Sequence, residues 1–230
     1  MKRALILLAL AVVAAGCGSS AQSESSPRRF SAHVTNPWYP LLPGSRWVYR
    51  GVKDGEPSRE VMTVTHRTKT IAGAPCVVVS DLLYLRGRLE ERTEDYYTQD
   101  SQGRVWYFGE KTAELDKNGH VKKTSGSWLA GVHGAKAGIF MFTHPRPGQS
   151  ARQEYYKGEA EDHFRVLRRD VSVEVPYGSF GHALLTKEWT PLEPGVIDHK
   201  FYVRGIGTVL ERTAKGPLER NELVSFQRGS

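Results

Sequence analysis

The sequence predicts an all-β fold, an antiparallel meander of about twelve strands that forms a curved, incompletely closed barrel or a sandwich. Three observations carry this expectation. Apolar and polar residues alternate with a period of two from residue 46 onward. No window of a dozen residues places its apolar side chains at helical spacing. Short turn signals ending in glycine separate the alternating runs, and glycine supplies the positive φ that a tight hairpin needs. Strands joined by such turns run antiparallel, and twelve of them accumulate too much twist to lie flat.

The first strand runs from Arg46 to Val52, with Trp47 and Tyr49 on its apolar side. Asp54-Gly55 leads to Ser58 to Ile71, where Val61 and Thr63 are expected to face inward, and Ala72-Gly73 leads to Pro75 to Leu85, with Val77 and Val79 inward. Arg86-Gly87 opens Arg88 to Thr98, Gln102-Gly103 precedes Arg104 to Leu115 with Val105 and Tyr107, and Asn118-Gly119 precedes His120 to Ser125. The pattern resumes at Ala151 to Lys157 and at Phe164 to Val175, with Val171, Val173 and Val175 inward. Tyr177-Gly178 leads to His182 to Trp189, followed by Ile197 to Val203 and Thr208 to Thr213. Lys215-Gly216 introduces the last strand, Leu218 to Gln227, with Val224 and Phe226 inward.

Residues 126–149 interrupt this rhythm with glycine, proline and apolar residues in no regular period. Loops longer than about fifteen residues are unusual in a compact domain and are either functional or disordered. Trp128, Leu129, Ile139, Phe140, Met141 and Phe142 argue against disorder, so the insertion is expected to pack as a lid or plug.

Ahead of the strands, Lys2 and Arg3 precede an apolar run from Ala4 to Val13, then small Ala14, Ala15 and Gly16, then Cys17. An apolar run this short cannot span a bilayer core of roughly 30 Å. The segment reads as an export signal occupying residues 1–16. Its V-A-A-G-C end resembles the bacterial lipobox. That resemblance implies that the Cys17 thiol carries the lipid, palmitate included, and anchors an exported protein to the cell envelope. Gly18 after the cysteine points to the outer membrane if the cell is Gram-negative. Residues 17–35 follow as a flexible tether, and residues 36–230 as a single β-domain. With Cys17 acylated, Cys76 has no partner within the chain, and its A-P-C-V-V-V setting predicts a buried thiol.

Hydrophobic residues make up 39% and aromatic residues 10% of the 230, enough for a packed interior and too many for a disordered chain. The formal charge of +7 is interspersed, with Glu90, Glu91, Glu94 and Asp95 among the basic residues. That distribution favours a membrane or cell-wall setting over nucleic acid, which is not expected as a partner.

Three strings stand out: N-P-W-Y-P-L-L-P-G-S-R-W-V-Y at 36–49, V-P-Y-G-S-F at 175–180 and F-Y-V-R-G-I-G-T-V-L-E at 201–211. As a set they resemble a class of uncharacterised secreted bacterial β-proteins. The resemblance implies turn roles for Gly44, Gly178, Gly205 and Gly207 and core roles for Trp47, Phe180 and Tyr202. In outline only, a curved antiparallel sheet on a lipid anchor is also similar to the lipid-binding half-barrel lipoproteins of bacterial envelopes.

Catalytic signatures are sparse. There is no G-x-S-x-G elbow and no S-x-x-K pair, and the eight histidines never stand two or four apart. The segment 154–163 gathers Glu154, Glu159, Glu161 and Asp162 around a glycine, hard oxygen ligands that suit Ca²⁺. Glu159, Glu161 and Asp162 are therefore the candidate metal ligands. Paired carboxylates also serve sugar hydrolysis, with Tyr155, Tyr156 and Trp128 available to stack on a ring.

The leading expectation is a non-enzymatic envelope lipoprotein that binds an apolar or amphipathic ligand, a lipid, a cell-wall component or a partner protein. Trp128, Phe140, Met141, Phe142, Tyr155 and Tyr156 are its candidate ligand contacts. No bound cofactor is expected in that reading. The alternatives are a Ca²⁺-dependent or carbohydrate-directed enzyme built on residues 154–163, and a purely structural scaffold.

Overall fold

A computed structural model describes residues 29–230; the expected signal segment, Cys17 and the first part of the tether lie outside the described residues. Sixteen strands form one antiparallel sheet. They are β1 (Phe30–Ser31), β2 (Arg46–Lys53), β3 (Glu56–Ile71), β4 (Ala74–Leu85), β5 (Arg88–Asp100), β6 (Val105–Leu115), β7 (Val121–Lys123), β8 (Trp128–Leu129) and β9 (Lys136–Met141). The second half supplies β10 (Ser150–Arg152), β11 (Glu154–Tyr155), β12 (His163–Val175), β13 (Gly178–Trp189), β14 (Ile197–Val203), β15 (Gly207–Lys215) and β16 (Arg220–Gln227).

The strands from β2 to β6 and from β12 to β16 pair with their sequence neighbours, as hairpin turns require. Asp54-Gly55, Ala72-Gly73 and Arg86-Gly87 hold positive φ at both residues, the geometry that matches the right-handed twist of the flanking strands. β16 then pairs with β2, joining the last strand to the first long one. The two ends of the sheet are β10 and β11, consecutive in the chain with Gln153 between them. β10 pairs with β12 and β11 pairs with β9, so the chain itself steps across the gap. The result is a barrel-shaped sheet, nearly closed, with one unsealed seam, and not a sandwich.

Every expected strand is present, the stretch 151–157 being divided between β10 and β11. Three further strands were not expected. β1 falls in the stretch read as tether and pairs with β5 at Asp100 and Gln99, and Val34 just beyond it is fully buried. The packed domain therefore begins several residues before 36. β8 and β9 lie within the irregular insertion, and β9 extends the sheet from β6, so half of the expected lid is barrel wall.

Two local expectations are corrected. The turn before β13 is Pro176-Tyr177, and Gly178 is already paired with Val175 as the first residue of the strand. On β16 a register shift between Leu223 and Ser225 turns Leu223 fully inside and leaves Val224 and Phe226 half-buried.

One end of the barrel is stoppered by residues 34–43. Val34 and Leu41 bridge each other and are fully buried. Asn36 fixes the stopper: its Nδ2 donates to Gly103 O at 2.8 Å and its Oδ1 accepts from Trp38 N at 2.9 Å. Gly205 N adds a bond to Pro37 O at 2.7 Å. Trp47, Tyr202 and Phe164 are each almost fully buried around it. At roughly 1.5–3 kcal/mol for each large side chain buried, this half is the hydrophobic core of the domain. Cys76 lies within that core, unpaired and fully buried, and burial pushes its thiol up to about 12.

Candidate functional site

The opposite half of the barrel is not apolar. On strand after strand, the residue two places beyond a buried apolar side chain, on the same face, is ionisable. β3 carries Val64 and Met62 and then Glu60; β4 carries Val77 and Val79 and then Asp81. β5 carries Tyr97 and then Asp95; β13 carries Leu184, Thr186 and then Glu188; β15 carries Val209 and then Glu211. On β14 the corresponding pair is Tyr202 and Lys200. β6 reaches the same result through a register shift beside Gly109, which places Glu110 with Tyr107. Val61 and Thr63, expected inside, alternate with the lumen-lining Glu60 and Met62 and so take the other face of β3.

These side chains enclose a cavity of two adjoining lobes, about 240 and about 260 Å³. Glu60, Asp81, Asp95, Glu110, Glu211 and Asn221 line both lobes, so they form one space. Glu154, Asp162 and Lys200 extend the inner lobe toward an aromatic floor of Tyr39, Tyr97, Tyr107 and Phe140. The rings pack against one another, Tyr39 on Phe140 at 4.6 Å and Tyr97 on Tyr107 at 4.7 Å. The outer lobe reaches Lys53, Glu91 and Glu219, next to the β2–β3, β4–β5 and β15–β16 turns. The opening therefore lies at the end of the barrel away from the stopper.

Charge in this space is unbalanced. Nine carboxyl side chains line the two lobes against Lys53, Lys200 and Arg220. Lys200 Nζ is committed to Glu188 Oε2 at 2.9 Å and Glu211 Oε1 at 3.4 Å, and Tyr202 Oη donates to Glu188 Oε1 at 3.0 Å. Burial opposes the Lys200 charge, but the two carboxylates outweigh it and keep the ammonium protonated.

Several lumen carboxyls are pushed upward, Glu211 among them in spite of Lys200. Burial raises Asp81 to about 7, helped by the charge of Asp95. Burial likewise raises Asp95 to about 7 although Tyr107 donates to it, and raises Glu211 to about 7 although Lys200 pulls it back. Glu110 reaches about 9 through burial and the charges of Asp95 and Glu154. Glu60 is held well above the carboxylate range by burial and by Asp81 beside it. Geometry requires the same of the Asp95 and Glu110 pair. Tyr107 Oη lies 2.7 Å from Asp95 Oδ1 and 3.2 Å from Glu110 Oε2, and one phenol proton cannot serve two carboxylates. A proton on Glu110 resolves this.

Two acceptors are left without any donor. Asp81 shares a hydrogen bond with Glu60, but its Oδ1 and Asn221 Oδ1 are both out of reach of bulk solvent and lack a hydrogen-bond partner among the described residues. In this orientation the Asn221 Nδ2 donates to Glu60 Oε2.

The residues singled out in the sequence are dispersed. Phe140 lines the lumen. Met141 is fully buried core and Phe142 packs on Phe164 at 5.2 Å. Trp128 is wall: it meets Tyr107 edge-on at 5.4 Å, and its Nε1 donates to Glu154 Oε2 at 2.8 Å. Trp128 and Tyr156 also line a separate apolar pocket of about 260 Å³ with Leu129 and Val132. Tyr155 lies under the Arg152 guanidinium at 4.4 Å.

The acidic segment divides in the same way. Glu161 Oε1 accepts from Gly158 N at 2.8 Å and Glu159 Oε2 from Gly126 N at 3.4 Å, whereas Asp162 lines the lumen. Among the described residues no three His, Cys, Asp or Glu side chains stand close enough to hold a metal ion, Glu159, Glu161 and Asp162 included. Glu60, Asp81, Asp95, Glu110, Lys200 and Glu211, which build the lumen, were not foreseen.

No known protein family matches the chain, and no curated protein matches it. Two solved structures are similar to it in outline. One is a protein of Bacteroides fragilis NCTC 9343 described as exported and of YmcC-like fold, 15% identical, with a TM-score of 0.48 over 83% of this chain and 99% of that one. The other is a protein of Parabacteroides distasonis ATCC 8503 described as a lipoprotein, 11% identical, with a TM-score of 0.47 over 84% of this chain and 99% of that one.

Proposed function

We propose that this chain is an exported, lipid-anchored envelope protein that acts by binding a small polar ligand in the open half of its barrel. The address rests on the leader, whose resemblance to a lipobox marks Cys17 for acylation. Binding rests on one observation above the others: two buried acceptors, Asp81 Oδ1 and Asn221 Oδ1, border a cavity and have no donor. An unmet buried polar group costs roughly 1–3 kcal/mol, a cost that a ligand removes on binding. The lumen's polarity turns the expectation of an apolar or amphipathic ligand toward a polar one.

Two measurements test the proposal. The mature protein isolated from bacterial membranes is expected to begin at an acylated Cys17, and an unmodified cysteine contradicts the address. A thermal-shift panel of envelope sugars, amines, peptides and lipids is expected to yield at least one stabilising class. That effect should vanish in Met62→Trp, which fills the inner lobe. A panel with no hit, or a hit indifferent to Met62→Trp, contradicts lumen binding.

A further inference from the structure

We infer that the ligand of the lumen is an aliphatic di- or polyamine, with one ammonium seated against Asp81 and Asn221. This rests on the lumen-binding reading and names its ligand class.

The unmet groups decide the hydrogen-bonding sense of the ligand. Both are acceptors, and with Asn221 Nδ2 bonded to Glu60 the missing partner is a donor. Charge decides between donors. Protons on Glu60 and Glu110 relieve part of the acidic surplus; a neutral hydroxyl would satisfy the two oxygens and leave the remainder standing, whereas an ammonium answers both. Two of the three cations on the lining are committed elsewhere, and the third, Lys53, stands among Glu219, Glu91, Glu211 and Glu60. Lys200 is held by Glu188 and Glu211, and Arg220 Nη2 is paired with Glu222 Oε1 at 2.6 Å.

Lys200 also shows that the cavity accepts this chemistry, because its side chain is an alkylammonium lying in the lumen with carboxylates at 2.9 and 3.4 Å. The spacing of the carboxyls favours several ammonium groups over a metal ion. A calcium ion gathers six to eight oxygens around one point. Here no three carboxylates converge among the described residues; they are spread along two joined lobes. A chain of methylenes between ammonium groups matches that spread, and the faces of Tyr97, Tyr107 and Phe140 offer its carbon atoms an apolar wall.

The test is isothermal titration of the full mature domain with 1,4-diaminobutane and with spermidine, using 1,4-butanediol as the uncharged control. Saturable one-site binding of at least one amine is expected, with no detectable binding of the diol. Asp81→Asn and Glu211→Gln preserve shape and remove one ionisable carboxyl each, and each is expected to weaken the amine at least tenfold. Glu94→Gln removes a carboxylate that is paired with Arg67 outside the lumen and is expected to leave affinity unchanged. Equal weakening in Glu94→Gln, equal affinity in all variants, or diol binding as tight as amine binding overturns the assignment. Failure of both amines overturns it as well. If the panel has meanwhile found a neutral or anionic ligand sensitive to Met62→Trp, the amine class falls and the lumen remains a binding site. Melting curves of each variant confirm that a lost affinity is not a lost fold.

Discussion

Lys200 Nζ, on the wall of the inner lobe, lies 2.9 Å from Glu188 Oε2. The pair joins adjacent strands, β13 and β14, and Tyr202 and Thr186 complete the hydrogen bonding of the Glu188 carboxylate. Around it the lumen is acidic, so this ammonium neutralises part of an excess that the fold otherwise leaves uncompensated.

Removing it exposes that excess. Lys200→Met leaves Glu188 and Glu211 facing each other without a cation, and breaking a buried pair from one side costs about 3–5 kcal/mol. Urea denaturation should show a loss of that size. A loss under about 1 kcal/mol would mean that water already screens the pair.

Stability should fall as pH rises from 5 to 8. Asp81 is faced by Glu60 on β3 and by Asp95 and Glu91 on β5, and with Asp95, Glu110 and Glu211 it has a folded pKa near 7 or above. A carboxyl raised in the folded state contributes stability below its unfolded pKa of about 4, and that stability is lost as pH climbs through the folded value. Each pKa unit corresponds to about 1.4 kcal/mol, so the midpoint is expected to drop on the order of 10 °C across this range. Melts at stepped pH check it, and Glu110→Gln should flatten the slope. A midpoint that rises between pH 5 and 8 would sink the lumen electrostatics described above.

The seam depends on one missing methyl group. A Cβ at Gly138 would lie 2.3 Å from Arg152 O and 2.5 Å from the Gln153 carbonyl, backbone atoms that cannot swing aside. Gly138→Ala should therefore push the chain off β9 at its crossing and destabilise the protein by about 1–3 kcal/mol. Hydrogen exchange should quicken first at β10 and β11. Unchanged protection there would show that the crossing tolerates the shift.

The barrel was legible because its signals are local. Hairpin turns such as Asp54-Gly55 and the alternation on either side of them need no knowledge of the rest of the chain. β1 and β8, two residues each, carry too little pattern to be read, and β9 lies in a stretch whose glycines conceal its pairing with β6. The lumen was missed for a different reason. Reading alternation as apolar inside and polar outside assigns Asp81 and Glu211 to solvent, although they share a face with Val79 and Val209. The signal was present as a repeated phase: a carboxylate two places beyond a core residue, on the core side, in β3, β4, β5, β13 and β15. Glu159 and Glu161 drew attention by crowding in sequence, but they are spent on backbone N–H groups at 154–163 and at Gly126.

That placement predicts the response to calcium. With Glu159 and Glu161 bonded to separate amides and Asp162 turned to the lumen, millimolar Ca²⁺ should leave the melting temperature unchanged in wild type and in Asp162→Ala alike. A calcium-dependent rise present in wild type and absent in Asp162→Ala would restore the metal reading.

The most direct test of the central claim is a crystal structure of the mature domain soaked with 1,4-diaminobutane. The lumen account predicts a ligand nitrogen about 2.7–3.2 Å from both Asp81 Oδ1 and Asn221 Oδ1, with its carbon chain running between the two lobes. Density for the amine only on the outer surface, with water alone beside Asp81 and Asn221, would contradict it.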